Sequence, residues 1–189
     1  MTDIFPSKEV EVAPPGTPSD PAILAHVQST WDAIRPHSAI YNILLSDIKL
    51  VSCARGRIIA HLKLQPVHLN SKRILHGAVS GTLCDWAGGM AIASATGLAK
   101  TGVSVDMHLS YVSTAREGDT LEIECWVSKM PGRSLGYTVM EIRKARLGED
   151  GEEVLLGLGG GTVVATGSHT KFLSFGQTQT QTQTQAASQ

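Results

Sequence analysis

One segment limits what this chain can become. From His76 to Gly97 the sequence reads HGAVSGTLCDWAGGMAIASATG, almost wholly apolar or small, with Asp85 as its one acidic residue. Few β-branched residues and a closing glycine predict one helix, from His76 or Gly77 to about Thr96, with Gly97 as its C-cap. The length alone would also admit a membrane span. The mid-segment Asp85 and the heavy load of Gly and Ser argue instead for a helix packed tightly inside protein. Such a helix has to be wrapped.

The flanking segments offer the wrapping. Upstream, KLVSCA and RIIAHLKL flank Arg55-Gly56 and predict a hairpin. Downstream, VSVDMHLSYV, TLEIECWVSKM, LGYTVMEIRKA and VVATGSHTKFL predict four strands in hairpin succession. Two strands, one buried helix and four strands make an α+β fold, an antiparallel sheet with the helix on one face. Ahead of the hairpin, Ser19 or Asp20 caps a helix with Pro21 in first position and Ile23, Leu24, Val27, Trp31 and Ile34 at helical spacing. A second short helix covers Ala39 to Leu45. Residues 1–20, acidic and proline-rich, are expected to form a disordered leader, 21–173 the folded domain, and 174–189 a disordered Gln/Thr-rich tail.

Charge and cysteine usage narrow the function. With 16 basic and 17 acidic residues the net charge is −1, so no strong field recruits nucleic acid or an anionic membrane. Cys53, Cys84 and Cys125 are far apart and odd in number, which fits reduced core thiols and not a disulfide framework. With no presequence at the start and no peroxisomal tripeptide at the end, the expected compartment is the cytoplasm, with mitochondria left open. No His or carboxylate spacing suggests a metal. Gly132-Arg133-Ser134-Leu135-Gly136 matches a nucleophile elbow, but the residues after it read as a strand where an elbow needs a helix. The run Gly157 to Gly161 follows no strand-to-helix transition, so a loose hairpin or bulge is the better reading.

The helix itself carries the chemistry. Its N-terminus exposes unpaired N–H groups and a partial positive charge suited to a developing oxyanion, and Gly77 leaves that end open. Asp85 is costly in an apolar helix unless something uses or pairs it. Its neighbours at i−4, i+3 and i+4 are Gly81, Gly88 and Gly89, a trough expected to admit a thin ligand arm. The plainer alternative is that these glycines only let the helix approach the sheet, with Asp85 bonded to backbone. Eight residues separate Gly77 from Asp85, about 12 Å along one helix at 1.5 Å per residue. A catalytic base must lie within hydrogen-bond reach of the reacting group. If both residues serve one carbonyl, they come from different protomers, and two antiparallel helices about a two-fold axis make two equivalent sites.

Three stretches, LHGAVSGTLCDWAGG, GVSVDMHLSYVSTAREGD and GSHTKFL, resemble the PaaI-like branch of the hotdog-fold thioesterases, over about residues 40–173. The resemblance implies a hotdog fold, a long central helix wrapped by a curved antiparallel sheet. It further implies homodimers, often paired into homotetramers, no metal or prosthetic group, and hydrolysis of acyl-CoA to free acid and CoA within fatty acid metabolism. It makes Asp85 the catalytic carboxylate, Gly77 the oxyanion donor and His76 its motif partner. Asn70 would help hold the carbonyl or the water, and Ser104 would position the nucleophilic water. Asn70, His76 and Gly77 would then belong to one subunit and Asp85 and Ser104 to the other. For CoA it points to Tyr111, Arg133 and Lys171. The chain departs from the family's second motif glycine at Ala78, carries one extra residue before Ser104, and has a longer connection from Leu147 to Thr162. Two rivals share the acyl-thioester chemistry: a hotdog hydratase or dehydratase, whose different His–carboxylate pair has no matching segment here, and a non-catalytic acyl-CoA or lipid binder.

Overall fold

The computed structural model describes residues 10–130, 134–147, 153–154 and 160–173. The helices are α1 (Pro21–Ile34), α2 (Ala39–Leu44) and α3 (Gly77–Thr96). The strands are β1 (Lys49–Ala54), β2 (Arg57–Lys63), β3 (Val103–Tyr111), β4 (Thr120–Lys129), β5 (Leu135–Lys144), β6 (Arg146–Leu147), β7 (Glu153–Val154) and β8 (Val163–Phe172). Each expected helix and long strand is present to within a residue or two. Asp20 caps α1, accepting at 2.8 Å from the Ala22 N–H, with Pro21 in first position. Gly56 turns the first hairpin at φ 71° and Gly97 ends α3 at φ 67°, both in the left-handed region where a side chain is strained.

Alternation along the strands builds the core. Ile58, Ala60 and Leu62 of β2, Leu121, Ile123 and Cys125 of β4, and Met140 and Ile142 of β5 are buried against Leu83, Trp86, Met90 and Ile92 of α3. α3 is buried around nearly its whole circumference, as its composition demands. Two of its glycines let it sit that close. A Cβ on Gly88 would lie 2.9 Å from Thr138 Oγ1 and 3.1 Å from His169 Nδ1, and one on Gly89 only 2.8 Å from Thr101 Cβ. The expected trough beside Asp85 is therefore largely filled by the protein's own side chains.

The sheet order corrects a second expectation. Its six strands run β1-β2-β4-β5-β8-β3, so β3 does not form a hairpin with β4. The chain passes along α3 and lays β3 on the far edge, antiparallel to β8. Its polar alternation, Ser104, Asp106, His108 and Ser110, suits an edge better than a covered centre. Residues 10–20, expected in the leader, are part of the fold. Val10 and Val12 pack on the core, and Ala13 and Asp20 donate backbone N–H groups to Arg55 and Cys53. Residues 1–9 and the expected tail from 174 lie outside the described residues. No helix among the described residues is long and apolar enough to cross a membrane. All three cysteines are buried and unpaired. Residues 135–144 after the elbow-like motif are a strand, which removes the elbow reading.

Candidate active site

Asp85 sits halfway along α3, where the sheet's far edge crosses the helix. The register of β3 on β8 sets Ser104 opposite Lys171, just before a bulge that ends at Asp106. Both side chains reach Asp85. Ser104 Oγ donates to Oδ1 at 3.1 Å, and Lys171 Nζ donates to the same oxygen at 2.8 Å. The other oxygen, Oδ2, accepts from the Tyr41 hydroxyl at 2.6 Å. His169 Nε2 is 3.9 Å from Oδ1, close but too far for a hydrogen bond. The Asp85 side chain still keeps 35% of its surface exposed.

The electrostatics follow from these partners. Burial works against the charged carboxylate, but hydrogen bonds from Lys171, Tyr41 and Ser104, with the Lys171 charge, outweigh it and hold Asp85 below the usual carboxylate range. Asp85 is therefore an anion at neutral pH. Burial pushes the Tyr41 phenol well up, and the Asp85 anion pushes it further, so Tyr41 stays a donor. Burial and the Lys171 charge lower His169, which stays neutral.

The other predicted residues gather at the helix tip. His76 is the N-cap, its Nδ1 accepting from the Ala78 N–H at 3.0 Å. Tyr111 lies across the tip, its hydroxyl donating to the Gly77 carbonyl at 3.3 Å. A Cβ on Gly77 would approach that ring to 3.1 Å. Beside them opens a cavity of about 260 Å³, lined in part by Ile74, Leu75, Gly77, Ser80 and Tyr111. Asn70 organises the loop before the helix, its Oδ1 accepting from the Lys72 N–H at 2.9 Å and the Ile74 N–H at 3.4 Å. A second, mostly apolar cavity of about 240 Å³ lies by the other end of α3, with Ile92, Leu98, Val103, Phe172 and Leu173 among its walls.

Within one chain, then, Asp85, Ser104 and Lys171 come together, while Asn70, His76, Gly77 and Tyr111 form a separate group. Arg133 lies outside the described residues. Lys171 is not placed to meet phosphates. It is only 4% exposed and its ammonium is bonded to Asp85. Strand alternation explains this, because it sends residue 171 to the same inward face as the buried His169. Sequence reasoning missed Tyr41 and His169. His169 was recoverable by that two-residue period, whereas nothing in the short α2 pattern points Tyr41 at a residue 44 positions away. Among the described residues no group of His, Cys, Asp or Glu is placed to hold a metal.

Comparison with known proteins bears on the family and the fold. The family model for the thioesterase superfamily matches residues 73–149. The acyl-coenzyme A thioesterase 13 of Homo sapiens is 33% identical over 148 residues, covering 77% of this chain and 95% of that protein. The Mus musculus protein of the same name is 29% identical, covering 70% and 84%. The crystal structure of zebrafish thioesterase superfamily member 2 superposes with a TM-score of 0.62 at 26% identity, covering 82% of this chain and 99% of that one.

Proposed function

The chain belongs to the hotdog-fold thioesterase superfamily, and from that membership we propose that it hydrolyses acyl-CoA thioesters in reaction pockets shared between two copies of itself. It is a thioester hydrolase, releasing free acid and CoA. The observation that carries the shared pocket is the split of the candidate residues into a helix-tip group and a mid-helix carboxylate group, about 12 Å apart along α3. One carbonyl cannot touch both groups of one chain. A two-fold partner with an antiparallel α3 brings each tip to the other's Asp85.

The edge strand supports the same pairing. Among the described residues β3 pairs with β8 alone and exposes Val103, Val105, Met107 and Tyr111. A long edge with that much apolar surface calls for a partner, and a second β3 is one of matching length and pattern.

In this reading the thioester oxygen lies on the Gly77 N–H, with Asn70 and His76 shaping that tip. The partner's Asp85, Ser104 and Lys171 face the carbonyl carbon. Ser104 holds a water, Asp85 takes its proton as the new C–O bond forms, and the oxyanion develops against the amide. The tetrahedral centre then collapses, the C–S bond breaks, and the proton goes to the departing sulfur. The alternative route has Asp85 attack the carbonyl and water cleave the resulting anhydride. In single turnover in ¹⁸O-water, label found in Asp85 marks direct attack with water adding at the Asp85 carbonyl carbon of the anhydride; general-base catalysis puts the label in the released acid alone. The apolar cavity beyond Val103 suits the alkyl chain, and Tyr111 lies on the approach for CoA. Three buried, unpaired thiols suit a reducing compartment, the cytosol or the mitochondrial matrix.

The test is thiol release from a panel of acyl-CoAs. Steady turnover that Asp85→Asn abolishes supports the proposal. Tight binding without thiol release would favour the lipid-binding reading, and water addition across an enoyl thioester the hydratase reading.

A further inference from the structure

We infer that Tyr41, on the N-terminal helix α2, is a positioning residue for the reaction: its hydroxyl fixes the orientation of the Asp85 carboxylate. This rests on the hydrolase reading and adds to it a part of the chain that the helix and the edge strand do not supply.

The geometry is specific. Ser104 and Lys171 hold Asp85 Oδ1, and a bond to Oδ2 adds a second point of resistance to rotation about the last side-chain bond. Tyr41 supplies that second hold at 2.6 Å. The ring is itself anchored. Tyr41 packs edge-on against Trp31 of α1, with centroids 5.6 Å apart at 62°, and Trp31 packs against Trp86, the residue after Asp85, at 5.6 Å and 72°. Trp31 and Trp86 are both 1% exposed. The phenol thus comes from a rigid aromatic stack seated on α3 beside the carboxylate it serves. A hydroxyl also holds the anion without adding charge or closing the open side of the site. On the same two α2 turns Ile40 and Ile43 are exposed, so it is Tyr41 that α2 turns toward α3.

The charged and titratable groups facing Asp85 are Lys171 and His169 from β8 and Tyr41 from α2, with Cys84 adjacent on α3. Of these, Tyr41→Phe removes one donor and leaves the ring in its stack. The expected result is a fall in kcat of about tenfold, from loss of one hydrogen bond to a charged group, with KM nearly unchanged. The donor favours the carboxylate, so its loss raises the Asp85 pKa. The acid limb of the kcat profile, where Asp85 becomes protonated, then moves to higher pH.

Circular dichroism melting fixes a temperature at which both proteins are folded, and all rates are compared there. A Tyr41→Phe protein with the wild-type kcat and acid limb overturns the inference. So does a lower kcat with an unmoved limb, which would mark a purely structural role. Carboxyl-carbon NMR titration of Asp85 reads the same coupling without turnover. A wild-type chain inert on every acyl-CoA would sink the hydrolase reading, while an Asp85 titration unaltered by Tyr41→Phe would sink the positioning role.

Discussion

Glu124 and Asp85 are both set in the wall of this molecule, and they are held in opposite ways. Glu124, on β4, alternates with the core residues Ile123 and Cys125 and so points to the face of the sheet away from α3. It is paired with Arg57 on one oxygen and with Arg143, at 3.4 Å, on the other. Arg143 also binds Glu141 at 2.6 Å, and Arg57 stacks 5.0 Å over Trp126. Asp85 has a single cation and two hydroxyls. The exposure differs accordingly, 5% for the Glu124 side chain and 35% for Asp85. Two guanidinium groups close a carboxylate off. One ammonium and two hydroxyl donors hold it in place and leave room for a reactant.

The sharpest way to break this contrast is to remove each acid in turn. Asp85→Asn should cost turnover a factor of about 10² to 10⁴, the range for a general base, in a chain that still unfolds cooperatively. Glu124→Ala should do the reverse. It leaves the buried Arg57 guanidinium without its carboxylate and Arg143 with Glu141 alone, and should lower unfolding stability in urea by about 3–5 kcal/mol, with turnover per folded molecule kept at the wild-type level. Equal losses of activity from both would erase the distinction.

Smaller changes sharpen it. Lys171→Met keeps the side chain's length and removes the cation that holds Asp85 low. The Asp85 pKa then rises, and the rate should begin to fall at a higher pH on acidification. An unmoved profile would take Lys171 out of the site. Ser104→Ala deletes one hydroxyl donor and should lower kcat by about tenfold, measured by thiol release at saturating acyl-CoA. Gly77→Ala is expected to act least. Its methyl would press on the movable Tyr111 ring, raising KM more than it lowers kcat.

The legible parts of this protein were the local ones. α3 announces itself through composition and a terminal glycine, all within 22 consecutive residues. The first hairpin does so through Arg55-Gly56. The place of β3 was hidden because its partner β8 is about 60 residues further on, and no turn signal specifies a pairing made past the intervening β4 and β5. The motifs singled out Asp85, Gly77 and Ser104, and in the structure Ser104 is bonded to Asp85 while Gly77 opens α3. The resemblance pointed Lys171 at CoA, and nothing in it told of the inward turn by which the strand period sends this side chain to Asp85. Tyr41 had no local signature at all. Its meaning comes only from the aromatic stack that carries it to Asp85.

The two borders of the sheet also differ. Along β1 the chain's own residues 13–20 use the outward groups, with Cys53 bonded through both its N–H and its carbonyl to Ser19 and Asp20. Along β3 nothing comparable lies among the described residues. A ribbon finished on one side and open on the other can be extended once and then has no further place to grow. In the proposed pairing, self-recognition through that open side would end in a closed pair, because the covered border on the opposite side offers no route to fibrils.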